Sequence, residues 1–185
     1  VPRLIHLNGP PGIGKSTLAQ RYVDEHPGVL NLDIDQVRTL IGGWRQRFAE
    51  TGEIVRPVAL SMAAAHLRGG RDVVMPWVLC QLSEIALFEA AAHDNGAAFC
   101  QVVLMDTKQQ SLERCNRRGE DGAQIWHQQV QEIVDQMSGQ ALLADIHDQL
   151  VAVIAARSDA RVVPSIAGAI RQTYEALTAV LDRNP

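Results

Sequence analysis

A chain of 185 residues fits one domain, since ~100–200 residues per domain is usual. Its 46% hydrophobic and 21% charged residues are ordinary globular composition and exclude a disordered chain. The net charge of −4 weighs against a protein that coats nucleic acid, although a local basic patch can sit on an acidic protein. No apolar run reaches the ~18 residues of a membrane span. The first residues enter a strand-like segment without the basic flank and apolar core of a signal peptide, so a cytoplasmic protein that contacts no membrane is expected. Cys80, Cys100 and Cys115 are widely spaced with no CxxC pair, and read as reduced, mostly buried thiols. The histidines lack HExxH-type spacing, so no structural zinc site is expected.

Strand-like and helix-like patterns alternate, with no repeat or linker at which to divide the chain. Arg3 to Asn8 is a short apolar run ending in a Gly/Pro-rich turn, and Lys15 to Glu25 reads as a helix. Val29 to Asp33 is a second strand, followed by a helix over Gln36 to Ile41 that stops at Gly42-Gly43. A helix over Glu53 to Leu67 leads to a third strand, Asp72 to Val78, which Pro76 should cut short because proline has no N–H for the sheet. Leu82 to His93 is helical, Phe99 to Met105 is a fourth strand, and Gln109 to Arg118 is helical. Gln124 to Ala156 is a long helical stretch, broken near Ser138-Gly139. Arg161 to Val163 is a fifth strand, and Ile166 to Leu181 is a closing amphipathic helix. Strands separated by helices of ten or more residues pair in parallel through crossovers. The expected fold class is therefore α/β, a three-layer sandwich with helices on both faces of a parallel sheet of about five strands.

The chemistry is concentrated first in Gly9-Pro10-Pro11-Gly12-Ile13-Gly14-Lys15-Ser16, followed by Thr17, which fits G-x-x-x-x-G-K-[ST]. Glycines let backbone N–H groups turn inward around phosphate oxygens, and the following helix aims its positive end at the same anion. Lys15 would reach the β- and γ-phosphates and the Ser16 hydroxyl would ligate Mg²⁺. The strand before and the helix after supply the required context. The pattern predicts binding of ATP, or another nucleoside triphosphate, with Mg²⁺. The D-x-x-G and N-K-x-D strings of GTPases do not occur. Neither does the apolar strand ending in Asp-Glu that a motor or AAA-type ATPase would show. Small P-loop kinases are the class that remains.

A second constellation, Leu32-Asp33-Ile34-Asp35-Gln36-Val37-Arg38, falls at the end of the second strand, where strand ends line a ligand crevice. One carboxylate can take the proton from an attacking hydroxyl and the other can hold Mg²⁺. Asp35 is assigned the base role and Asp33 the metal side, and the two can be exchanged. An N-cap role for one of them competes with these. Arg38, one turn after Asp35, could orient an acidic substrate or keep Asp35 ionised. A third constellation, Arg114, Arg117 and Arg118, precedes Gly119-Glu120-Asp121-Gly122. Arg114 and Arg118 share a helix face and suit a phosphate clamp at the start of a lid over about 114–128. A solvated basic helix end is the competing reading.

Together these features resemble the small P-loop phosphotransferases. The GPPGIGKST loop is similar to the nucleotide loop of gluconate kinases, adenylylsulfate kinases, polynucleotide kinases and chloramphenicol phosphotransferase-like proteins. LDIDQVR is similar to the LDGDNVR-type segment of adenylylsulfate kinases, and Asp35-x-x-Arg38 resembles the D-x-x-R of polynucleotide 5′-kinases. That resemblance implies Asp35 as general base and Arg38 assisting at the phosphate. Asp35 to Trp44 resembles the antibiotic-kinase group more closely, and Arg114 to Arg118 resembles the lid arginines that contact ATP. Pro164 to Ala167 stands where relatives hold the adenine ring. The third strand lacks the acidic residue that many relatives place there.

The acceptor pocket is expected between Trp44 and Met62, the segment after Trp77, and the lid, with Asp35 and Arg38 at its base. Trp44, Phe48, Met62, Trp77 and Trp126 are candidates for its apolar wall, and each competes with a plain core role. With Arg45, Arg47 and Arg56 nearby, these suggest a hydroxylated small molecule, partly apolar or anionic. The leading expectation is an ATP-dependent kinase for a small-molecule hydroxyl, such as an antibiotic or a nucleoside-like compound. A nucleic-acid 5′-hydroxyl kinase and a non-catalytic ATP-binding regulator are the alternatives. The oligomeric state is left open.

Overall fold

The structure, a computed structural model, describes residues 1–118 and 139–183, the side chains of 115–118, 139 and 140 excepted. Five strands form one parallel sheet: β1 (Arg3–Asn8), β2 (Leu30–Asn31), β3 (Val73–Pro76), β4 (Ala98–Met105) and β5 (Arg161–Pro164), in the order β2-β3-β1-β4-β5. The helices are α1 (Lys15–Glu25), α2 (Ile34–Arg38), α3 (Phe48–Arg68), α4 (Leu82–Asp94), α5 (Lys108–Arg118), α6 (Gly139–Ala156) and α7 (Ile170–Asp182).

Alternation along the central strands sends successive side chains to opposite faces. Leu4, Val73 and Met75 pack against Val55, Ala59, Ala63 and Leu67 of α3 and Ile85, Phe88 and Ala92 of α4. On the other face Ile5, Leu7, Val74, Val102 and Leu104 meet Leu18 and Tyr22 of α1 and Tyr174, Leu177 and Leu181 of α7. Two such cores make the three-layer α/β sandwich. Among the described residues no helix is long and apolar enough to cross a membrane.

Three boundaries depart from the sequence reading. β2 is only Leu30–Asn31, because Asp33 leaves the sheet to cap α2, which starts two residues before the expected Gln36. α3 starts at Phe48, before the expected Glu53, and runs through Gly52 and Pro57. Its buried row Val55, Ala59, Ala63, Leu67 outweighs the local cost of those two residues. The last helix starts at Ile170 rather than Ile166. β3 ends at Pro76 as expected. The expected helical stretch 124–138, Trp126 and the lid beyond residue 118 lie outside the described residues.

Candidate active site

The turn after β1 is shaped by glycines that no other residue can replace in place. Gly9 has φ 142, and a Cβ there would stand 2.5 Å from the Leu104 carbonyl oxygen. Gly14, φ 105, is the left-handed residue from which α1 starts. Lys15 is buried, and its ammonium donates to the carbonyls of Gly9 (2.8 Å) and Pro10 (2.9 Å), so the loop closes over its own lysine. Ile13 is fully buried in the core shared by α1 and α7, leaving the loop's backbone outermost.

Asp33 stands at the end of β2 and caps α2, its Oδ1 accepting from the amides of Asp35 (3.2 Å) and Gln36 (3.4 Å). Its Oδ2 is buried with no hydrogen-bond partner. Burial, then the neighbouring charge of Asp35, push its carboxyl above the usual range, while the Ser16 hydroxyl facing it pulls the other way. Ser16 and Asp33 therefore bring the start of α1 and the start of α2 together at one end of the sheet. The pair suits a hard divalent cation: an alcohol oxygen, an anionic oxygen without a partner, and a carboxylate whose charge is costly until a cation arrives.

Asp35 is half-buried and close enough to act on both Asp33 and Arg38. Arg38 is 6% exposed and lies 4.0 Å over the Phe48 ring, with Gly52 beside its Nη2. Its Nε is buried without a partner. Burial holds its pKa below the ordinary value; Asp35 opposes the shift and Arg56 adds to it. Arg56 reaches across to Glu84 of α4, tying α3 to α4 beside this site.

The expected wall residues divide. Phe48 is beneath Arg38, and Trp44 is buried without belonging to either core cluster. Trp77 packs in the core, edge-on to Phe88 at 6.1 Å. Met62 stands apart from these residues. It lies ten residues past Gly52, about 15 Å along α3 at 1.5 Å per residue, on an outer flank with Pro57, Val58, Ser61 and Ala65.

Arg114, expected to clamp phosphate, bonds protein groups in this structure. It donates to Ser165 O (2.8 Å), Ile13 O (3.0 Å) and the Asp106 carboxylate (3.3 Å). Ser165 Oγ also donates to Ile13 O, at 2.9 Å. The end of β5 and the middle of α5 thereby hold the glycine-rich turn from outside. The Arg118 side chain lies outside the described residues, as does Trp126. Ser165 entered the sequence reading only as part of an adenine contact; its bond to Ile13 joins residues too far apart for spacing to show.

Two further residues escaped the sequence reading, His6 and Asn8, both fully buried polar positions on β1. His6 Nε2 bonds the Trp77 carbonyl at 3.0 Å, and burial lowers its pKa to about 4. Asn8 bonds both Gly9 and Leu79. Their signal in the sequence was alternation: with Leu4 they form one face of a strand that should be apolar.

A P-loop joined to a parallel sheet of order β2-β3-β1-β4-β5, with a carboxylate-bearing strand end beside it, defines a P-loop NTPase of kinase-like build. The chain belongs to the AAA domain family, whose sequence model matches residues 4–141. No curated protein is close enough in sequence to match. Among solved structures, a gluconokinase from Sinorhizobium meliloti 1021 superposes with a TM-score of 0.61 at 16% identity, over 98% of this chain and 93% of that one. The tunicamycin resistance protein of Deinococcus radiodurans gives 0.62 at 17%, over 98% and 96%. A chain of the Pnkp1/Rnl/Hen1 RNA repair complex gives 0.64 at 16%, over 85% of this chain and 47% of that one. These likenesses establish the fold. The family match corrects the exclusion of AAA-type proteins drawn from the missing Asp-Glu strand end, although β3 does end in Pro76, followed by Trp77.

Proposed function

We propose that the protein is an ATP-dependent phosphotransferase that moves the γ-phosphoryl group to a hydroxyl of a small molecule, of antibiotic or nucleoside-like kind. The observation that carries this is Ser16 facing Asp33 with Asp35 beside it. A phosphate-cradling turn and a carboxylate able to accept a proton occupy one end of the sheet.

Lys15 exchanges the Gly9 and Pro10 carbonyls for phosphate oxygens, and the amides at the start of α1 face the polyphosphate. Ser16 and Asp33 would hold Mg²⁺, which supplies charge neutralisation along the phosphates when bound. Asp33, engaged as the cap of α2 and assigned to the cation, is the less free to take a proton. Asp35 is the one left to receive the proton of the acceptor hydroxyl as its oxygen attacks. Arg38 supplies a desolvated guanidinium for an anionic group on the acceptor or for the phosphoryl group in flight. Arg114 keeps the turn in shape. A nucleoside triphosphate donor is in keeping with a cytoplasmic enzyme.

A polynucleotide 5′-hydroxyl kinase is the second reading, favoured by Arg38 buried behind Asp35 in D-x-x-R spacing and opposed by the net charge of −4. Transfer of labelled phosphate from ATP to a panel of hydroxyl compounds and to 5′-hydroxyl oligonucleotides separates the readings. Asp35→Ala should abolish product while leaving ATP affinity within a few-fold. Absence of product with every acceptor would leave a nucleotide-binding regulator in place of an enzyme.

A further inference from the structure

The loop between β3 and α4, residues 77–81, is tied to β1 by buried side-chain bonds rather than by its own turn. His6 Nε2–H donates to the Trp77 carbonyl at 3.0 Å, Asn8 Nδ2 donates to the Leu79 carbonyl at 2.8 Å, and the Leu79 amide donates to Asn8 Oδ1 at 3.1 Å. The two Asn8–Leu79 bonds run in opposite directions and fix the plane of the carboxamide. The same Oδ1 accepts the Gly9 amide at 2.9 Å. Gly9 is the first residue of the phosphate turn, and its carbonyl holds the Lys15 ammonium.

Asn8 is thus bonded at once to the nucleotide turn and to the loop on the acceptor side. That loop also carries Cys80, whose thiol is pushed up by burial and by the nearby charges of Asp145 and Glu84. Glu84 is paired with Arg56, whose charge is felt at Arg38. Hydrogen bonds therefore lead from Lys15 through Gly9 and Asn8 to Leu79, and beyond the loop the groups around Asp35 are reached through charge.

We propose that Asn8 is a positioning residue that couples the two halves of the site. A triphosphate draws Lys15 away from the Gly9 carbonyl, the Gly9 peptide shifts, and the Asn8 carboxamide carries that shift to Leu79. Nucleotide binding thereby sets the acceptor-side loop before an acceptor arrives. The coupling rests on the nucleotide-binding half of the function proposed above and not on the identity of the acceptor. His6 holds the same loop but has no bond to the turn, so it supports the loop without relaying anything.

Hydrogen–deuterium exchange of the full chain, with and without Mg²⁺ and the non-hydrolysable analogue adenylyl imidodiphosphate, tests this. In the wild type the analogue should slow exchange about tenfold over 9–16 and change it over 77–81 as well. In Asn8→Ala the protection of 9–16 should persist and the response of 77–81 should be lost. Asn8→Leu, of similar volume but unable to accept from Gly9 or to bond Leu79 in either direction, should behave alike if the alanine variant does not fold. In His6→Asn the loop should exchange faster throughout yet still respond to nucleotide. A 77–81 response that survives in the Asn8 variants, or vanishes equally in His6→Asn, overturns the coupling. So does a wild type protected over 9–16 but silent over 77–81. A wild type unprotected over 9–16 removes the nucleotide reading and the coupling together.

Discussion

Arg114→Ala separates two physical roles for one guanidinium. In the structure its donors serve Ser165, Ile13 and Asp106, and its side chain is 15% exposed. Hydrogen bonds from a charged donor are each worth ~1.5–3 kcal/mol, but three on one group do not add, and Ile13 O keeps its bond from Ser165. A net loss of about 3 kcal/mol is a reasonable sum. At ~2–4 °C per kcal/mol for a chain of this size, the melting temperature should fall by about 6–12 °C. Nucleotide affinity should fall by about tenfold, since the turn keeps its own donors but loses an external support. Arg114→Lys should recover little, because one ammonium cannot reach acceptors arranged for a planar fork. Thermal denaturation and calorimetric titration with adenylyl imidodiphosphate, run on the same preparations, measure both quantities. An unchanged melting temperature together with abolished nucleotide binding would refute the tether and restore a direct phosphate clamp.

Other outcomes follow from the same geometry. Gly9→Ala should cost ATP binding outright, read by titration, because its Cβ would meet the Leu104 carbonyl at 2.5 Å. Arg38→Met should leave the melting temperature of the unliganded protein unchanged or raised, since it removes a buried guanidinium held below its ordinary pKa by desolvation, while phosphate transfer falls by about a hundredfold or more. His6 gives a pH signature. Unfolded, it takes a proton near 6.5, but folded only near 4, so the unfolded state binds more protons between those values. Stability should therefore decline as pH drops from 6.5 to 4, by about 3 kcal/mol from this residue, and His6→Gln should flatten that part of a urea-denaturation profile.

Spacing alone made much of this visible. G-x-x-x-x-G-K-S fixed the turn, and alternation placed β1, β3 and β4 to within a residue or two. Asp33 and Asp35 were legible as a pair because strand ends line the crevice in parallel sheets. Their division of labour was not, since it depends on Asp33 turning back to cap α2 and meeting Ser16. For Arg114 the sequence shows charge and helix face but not the carbonyl groups of Ile13 and Ser165 that it bonds. His6 and Asn8 were hidden because their partners lie 71 residues away, beyond α1, β2, α2 and α3. The place of Met62 along α3 was not legible because it depends on where that helix starts, and Gly52 and Pro57 obscured the start.

Pro57 interrupts α3 where the ladder of backbone bonds would otherwise pass from Glu53. The length behind it is anchored through Ala59, Ala63 and Leu67, and the length ahead through Val55, while Phe48, Gly52 and Arg56 face Arg38 and α4. One rod thus lacks a rung while both of its lengths stay seated on the interior. The groups around Arg38 therefore stand on a support that the missing bond does not loosen, and the helix keeps its course because the interior holds it on either side of the proline.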